Sequence, residues 1–140
     1  MSQQNVDLVT SHLEAWEAGS PERALGFMSE EVEFDARTRP GGKVWHGREG
    51  VREAIGEWLE IWDEYRMERG PVIDAGGERV VSLWRESGRA RRSGAPISEE
   101  GATVFTITGG QISSVFVSVD REGVLAGLGL ASDSPGSAQD

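Results

Sequence analysis

The chain has 140 residues, enough for one well-packed domain and too few for two comfortable ones. Its 24 acidic and 14 basic residues leave a net charge of −10, which argues against a polyanion partner, since neutralising phosphates needs a concentrated excess of Lys and Arg. Cysteine is absent, so a disulfide frame, a thiolate nucleophile and a cysteine metal site are all excluded. The opening MSQQNVDLVT lacks the basic end and apolar core of a signal peptide, and no apolar run approaches the roughly 20 residues that span a bilayer. The expectation is a soluble cytoplasmic protein without nucleic-acid or membrane partners.

Val6, Val9, Leu13 and Trp16 recur at helical spacing and predict an amphipathic helix over 5–18, ended by Gly19. Ser20 and Pro21 start a short second helix, with Ser20 as N-cap and Leu25, Phe27 and Met28 turned inward. A brief strand is predicted over 32–35. Val51, Ile55, Trp58, Trp62 and Tyr65 then step by four, three, four and three, which predicts a long third helix reaching Tyr65. Val72-Ile73 leads into the turn AGGE (75–78). Strands are predicted over 79–92, about 98–108 and 111–119, separated by the turns SGAP and TGG. Residues 121–130 predict a short helix, with Asp120 read first as its cap and second as a pocket acid, and the small polar tail from 131 to 140 is expected to be disordered. Helices first and an antiparallel meander afterwards predict a single α+β domain over 1–130, with helices on one sheet face.

This order of elements resembles the SnoaL-like domains of the nuclear-transport-factor-2-like superfamily. The resemblance is carried by AWEAGSPERAL (15–25), EVEFDAR (31–37), WHGREGVREAIGEWLE (45–60), RVVSLWRESGRARRSGAPI (79–97) and VFTITGGQISSVFVSVDREGVLAGLGL (104–130). It implies a cone: a curved, mostly antiparallel sheet wrapped around a long helix, with an apolar pocket at the open end. The superfamily holds isomerases, dehydratases, cyclases and epoxide hydrolases beside members without chemistry, so fold alone does not choose a function. A proton-transferring isomerase or cyclase is one expectation; a non-catalytic binding or dimerisation module is the other.

The resemblance to ketosteroid isomerases places Asp35 where a proton-shuttling carboxylate stands. Asp35 reads either as a general base raised by a dry pocket or as a strand-end acid paired with Arg37. The oxyanion donors of that template fall on His12 and Thr103; His12 reads alternatively as a helix residue beside the Leu13–Trp16 stripe. Epoxide hydrolases of this fold imply an Asp-Arg-Asp arrangement. Arg85, Arg89, Arg91 and Arg92 have no interleaved aspartate to build it, and are expected on the solvent side, paired with Glu99 and Glu100. His46 reads as a pocket-mouth group or a turn residue. With His12 and His46 as the two histidines, no metal site or cofactor is expected.

Trp16, Trp58 and Trp62, with Phe34, Phe105, Val115, Val117 and Val119, are expected to wall a pocket for an apolar or aromatic small molecule. The strands carry apolar residues on both faces. Ile112 and Phe116 are therefore expected on an outer face covered by a second copy, as in the homodimers that the resemblance implies.

Overall fold

The computed structural model describes residues 2–39 and 42–130, so the expectation for the tail lies outside the described residues. Helix α1 (Ser2–Glu17) buries Val9 and Leu13 and closes at Gly19, whose φ of +76° lets Ser20 N–H turn back onto the Ala15 carbonyl. Helix α2 (Pro21–Leu25) begins with proline as predicted. The Ser20 side chain makes no capping bond; its carbonyl receives Ala24 N–H instead. Strand β1 (Met28–Asp35) and short strand β2 (Val44–His46) lead into α3 (Gly47–Glu60). Strands β3 (Trp62–Gly76), β4 (Arg79–Ala90), β5 (Pro96–Thr108) and β6 (Gln111–Ser118) follow. Helix α4 (Arg121–Gly127) ends the described chain, capped by Asp120 Oδ1 accepting Gly123 N–H at 3.0 Å. No described helix is long and apolar enough to cross a membrane.

The six strands form one sheet in the order β2-β1-β6-β5-β4-β3. Every neighbouring pair is antiparallel except β1 and β6, which run parallel with Phe34 opposite Val115. The sheet curves around α1 and α3, the cone that the family resemblance implies. Val9 and Leu13 from α1 and Val51 from α3 pack with Val32, Val80, Phe105, Val115 and Val117 on its inner face. Alternation then decides which strand residues can reach the interior.

Two expectations need correction. The third helix stops at Glu60, and Trp62 and Tyr65 belong to β3. Between Asp63 and Arg66 the register against β4 slips by one residue, at Glu64, whose φ is +56°. That bulge turns Trp62 and Tyr65 to the same side although they stand three apart. A bulged strand thus mimics a helical step. Gly88 on β4 makes the arrangement possible, because a Cβ there would lie 2.9 Å from the Trp62 ring.

The second correction concerns the outer face. Ile112 lies fully buried in the inner core, because another register slip between Thr106 and Ile107 puts it on the same side as Val115. On the outer face, Leu125 of α4 packs with Val81, Leu83 and Ala102. A helix of the same chain therefore covers part of the surface expected to need a partner.

Gly101 lies opposite Trp84 on β5, and a Cβ there would collide with the Trp84 ring and with the Ser118 carbonyl. Gly101→Ala is expected to lose about 1–3 kcal/mol of stability by overpacking. Denaturant unfolding followed by tryptophan fluorescence measures it, with an altered native spectrum reporting a displaced Trp84.

Candidate functional site

A cavity of about 970 Å³ opens between α1, α3 and the inner sheet face, large enough for a drug-sized molecule. Trp16 on α1, Trp58 on α3 and Phe34 on β1 form part of its wall. Phe105, Val115 and Val117 line it from β5 and β6, and Thr103 contributes a hydroxyl. These six apolar side chains and Thr103 are brought together as the sequence suggests.

His12 also lines the cavity, with a chemistry opposite to the one expected. Its Nδ1 lies 2.9 Å from the Ala24 carbonyl on α2, and a carbonyl can only accept, so Nδ1 carries the proton. The neutral ring then presents Nε2 as a bare lone pair. Burial holds the imidazole below its ordinary value of 6.5, more strongly than the Ala24 carbonyl raises it. Phe27 and Phe105 contact the ring edge-on, with centroids at 6.3 and 5.7 Å. The Nδ1–H that the oxyanion reading needs is taken up by Ala24, and Nε2 is left as a hydrogen-bond acceptor.

Thr103 supplies the complementary group. Its Oγ1 accepts the Trp84 indole N–H at 2.8 Å, which leaves the hydroxyl hydrogen free to donate into the cavity that it lines. Acceptor and donor thus come from α1 and β5, on otherwise largely apolar walls.

A polar cluster on the same wall was not anticipated as a site. Arg39 lines the cavity with its guanidinium carbon 3.7 Å from the Trp58 ring centroid and 5.2 Å from that of Trp84. Glu86 is fully buried. Its Oε1 accepts the Tyr65 hydroxyl at 2.8 Å, while its Oε2 stands 3.5 Å from Arg39 Nη2. Burial drives the Glu86 carboxyl upward, with Arg39 pulling against it, and pushes the Tyr65 phenol upward as well. One signal was available: alternation sets Glu86 on the Trp84 face, and a carboxylate on an apolar face calls for a partner. Nothing local in DARTRP distinguishes Arg39 from its neighbour Arg37.

Asp35 does not line the cavity. Phe34 and Ala36 do, so alternation turns Asp35 to the other side of β1. There Arg37 grips it through Nε at 3.1 Å and Nη2 at 2.8 Å, and those bonds hold its carboxyl below the usual range. The paired reading of Asp35 holds, and the raised base does not. His46 is exposed: β2 pairs Trp45 with Phe34, so Trp45 meets the cavity and His46 faces away. Trp62 is buried between Trp58 and Tyr65, at centroid distances of 5.5 and 4.9 Å, and packs behind the wall. Val119 lies just past β6, exposed and outside the lining. Arg85 pairs with Glu100 as expected, whereas Arg89 and Arg91 pair with Glu64 and Asp63 because β3 flanks β4 on its other side.

The curved sheet, its inner helices and the open-ended cavity define a nuclear-transport-factor-2-like cone protein. Within that class the chain belongs to the SnoaL-like domain family, whose model matches residues 9–115. No curated protein matches the chain. Solved structures share its fold at low identity. TerC, co-crystallised with polyporic acid, is 16% identical at a TM-score of 0.71, covering 90% of this chain and 98% of its own. A candidate polyketide cyclase from Xanthomonas campestris pv. campestris is 20% identical at 0.68, covering 91% and 98%. A protein of ketosteroid isomerase-like fold from Catenulispora acidiphila, in complex with trimethylamine, is 19% identical at 0.67, covering 91% and 95%.

His12 also makes stability depend on pH. Because its folded value lies below 6.5, the unfolded chain binds the proton first as pH falls. The stability it permits is present above about pH 6.5 and is lost as pH drops from there toward the folded value. His12→Gln, which keeps an N–H for Ala24 and does not titrate, is expected to lose less melting temperature than the parent between pH 7 and pH 5.5.

Proposed function

We propose that this SnoaL-like protein binds an apolar or aromatic small molecule in the cone cavity and moves a proton on it, as an isomerase or cyclase. His12 Nε2 takes a proton from the carbon beside a ligand carbonyl. The Thr103 hydroxyl donates to the oxygen that becomes an enolate. His12 then returns the proton to another carbon, completing an isomerisation. In a cyclase, the enolate carbon attacks a second carbonyl and the new alkoxide takes the proton. The observation that carries this reading is the Nδ1–Ala24 bond, which fixes His12 as an acceptor in a cavity that the Thr103 hydroxyl also lines. The likeness to TerC and to the candidate polyketide cyclase supports it at the level of fold.

A non-catalytic binding module is the second reading. It is favoured by the pairing of Asp35 with Arg37, which leaves the cavity without a carboxylate at the template position. Exchange of the α-hydrogens of 2-tetralone in deuterium oxide, followed by NMR, separates the two. Catalysed exchange that falls on the order of 100-fold in His12→Gln is expected for the proton-transfer reading. Asp35→Asn serves as the control and is expected to leave exchange unchanged while melting slightly lower. Exchange equal in parent and His12→Gln would favour the binding module.

We also propose a homodimer through the outer face of β5 and β6. Val104 and Phe116 pair there, both only half-buried. Sedimentation at micromolar concentration is expected to show a dimer that Phe116→Glu converts to monomer.

A further inference from the structure

Arg39 is buried with too few partners. Its side chain is 12% exposed, yet among the described residues its guanidinium makes no protein hydrogen bond. Nε is buried and unpaired, and the contact of Nη2 with Glu86 Oε2, at 3.5 Å, is too long to satisfy either atom. Glu86 Oε2 is itself left without a hydrogen-bond partner among the described residues. A guanidinium carries five donors in a rigid fork, and a buried one left unmade is costly, while the rest of the fork lines the cavity. The two tryptophan faces fix its plane without satisfying those donors.

We infer that Arg39 anchors an anionic oxygen of the cavity's ligand — a carboxylate, phenolate or enolate on a planar aromatic body. This rests on the reading of the cavity as a small-molecule site and adds the charge of the molecule that fills it. The acids around Arg39 are Glu86, which does not itself line the cavity, and Glu99, the cross-strand partner of Glu86. Burial lowers Arg39 below the ordinary guanidinium value more than Glu86, Tyr65 and Glu99 raise it. Glu86 does not line the cavity, and it therefore acts as a positioning residue behind Arg39 and Tyr65. A cationic ligand fits less well, because the Trp58 and Trp84 faces that would hold it already hold the guanidinium.

Titration calorimetry of the full chain with naphthalene-2-carboxylate, its methyl ester and 2-naphthyltrimethylammonium tests the assignment. The carboxylate is expected to bind at least about tenfold more tightly than the ester, as a charge-assisted pair should allow. Arg39→Met is expected to abolish that preference while keeping ester affinity within about twofold. Arg39→Lys is expected to restore part of it. Equal binding of acid and ester by the parent chain, or tighter binding of the ammonium, would overturn the anion assignment and leave the cavity reading standing. So would an acid preference undiminished in Arg39→Met. Failure of all three probes to bind would overturn the cavity reading together with it. The comparison of acid with ester on the parent chain needs no variant to fold.

Discussion

The parallel pairing of β1 with β6 is the contact on which the cavity depends. The antiparallel pairs β3–β4, β4–β5 and β5–β6 join strands that follow one another in the chain, and short turns bring them together. The β1–β6 pair joins residues about eighty positions apart and closes the sheet around the helices. It sets Phe34 beside Val115 and carries β2 with it, so Trp45 completes the same wall. It also holds α1, α2 and α3 inside the curve, because those helices flank β1 in the chain. Without that closure His12 and Thr103 would have no common space.

Within the closed sheet, period-2 alternation distributes the roles. Phe34 and Ala36 face inward, so Asp35 faces away and finds Arg37. Trp84 and Glu86 share an inner face, which puts an acid behind an aromatic wall. The bulge at Glu64 shifts that rule by one residue and brings Tyr65 within reach of Glu86. One extra residue in β3 therefore determines whether the buried carboxylate is hydrogen-bonded at all.

The cavity's chemistry follows from where polar groups have lost water. His12 loses it and gains one carbonyl, so it stays neutral with a fixed tautomer. Asp35 retains part of its solvent contact, gains a two-pronged arginine and stays ionised. Arg39 loses most of its water contact and gains aromatic faces, with no hydrogen bond from its guanidinium among the described residues. That shortage is what a ligand can fill. The cavity thus carries an acceptor, a donor and an incompletely satisfied cation on walls that are otherwise mostly apolar.

Local pattern alone determined much of this protein. The helical stripe through Val9 and Leu13, the stop at Gly19, the turns at AGGE and TGG, and the Asp120 cap all rest on interactions within a few residues. The family resemblance added the cone, and with it the aromatic wall of Trp16, Phe34, Trp58 and Phe105. Long-range geometry decided the rest. Trp62 and Tyr65 fit a helix by spacing, and only pairing with β4 shows that a bulge produces the same step. Asp35 matched a catalytic position by order along the chain, yet the orientation of β1 depends on which neighbour of Asp35 meets the cavity. Arg39 and Arg37 are two residues apart with the same chemistry; one lies stacked inside between Trp58 and Trp84, and the other closes on Asp35 outside. A sequence specifies which side chains are available, and the closed sheet decides which of them lose water together.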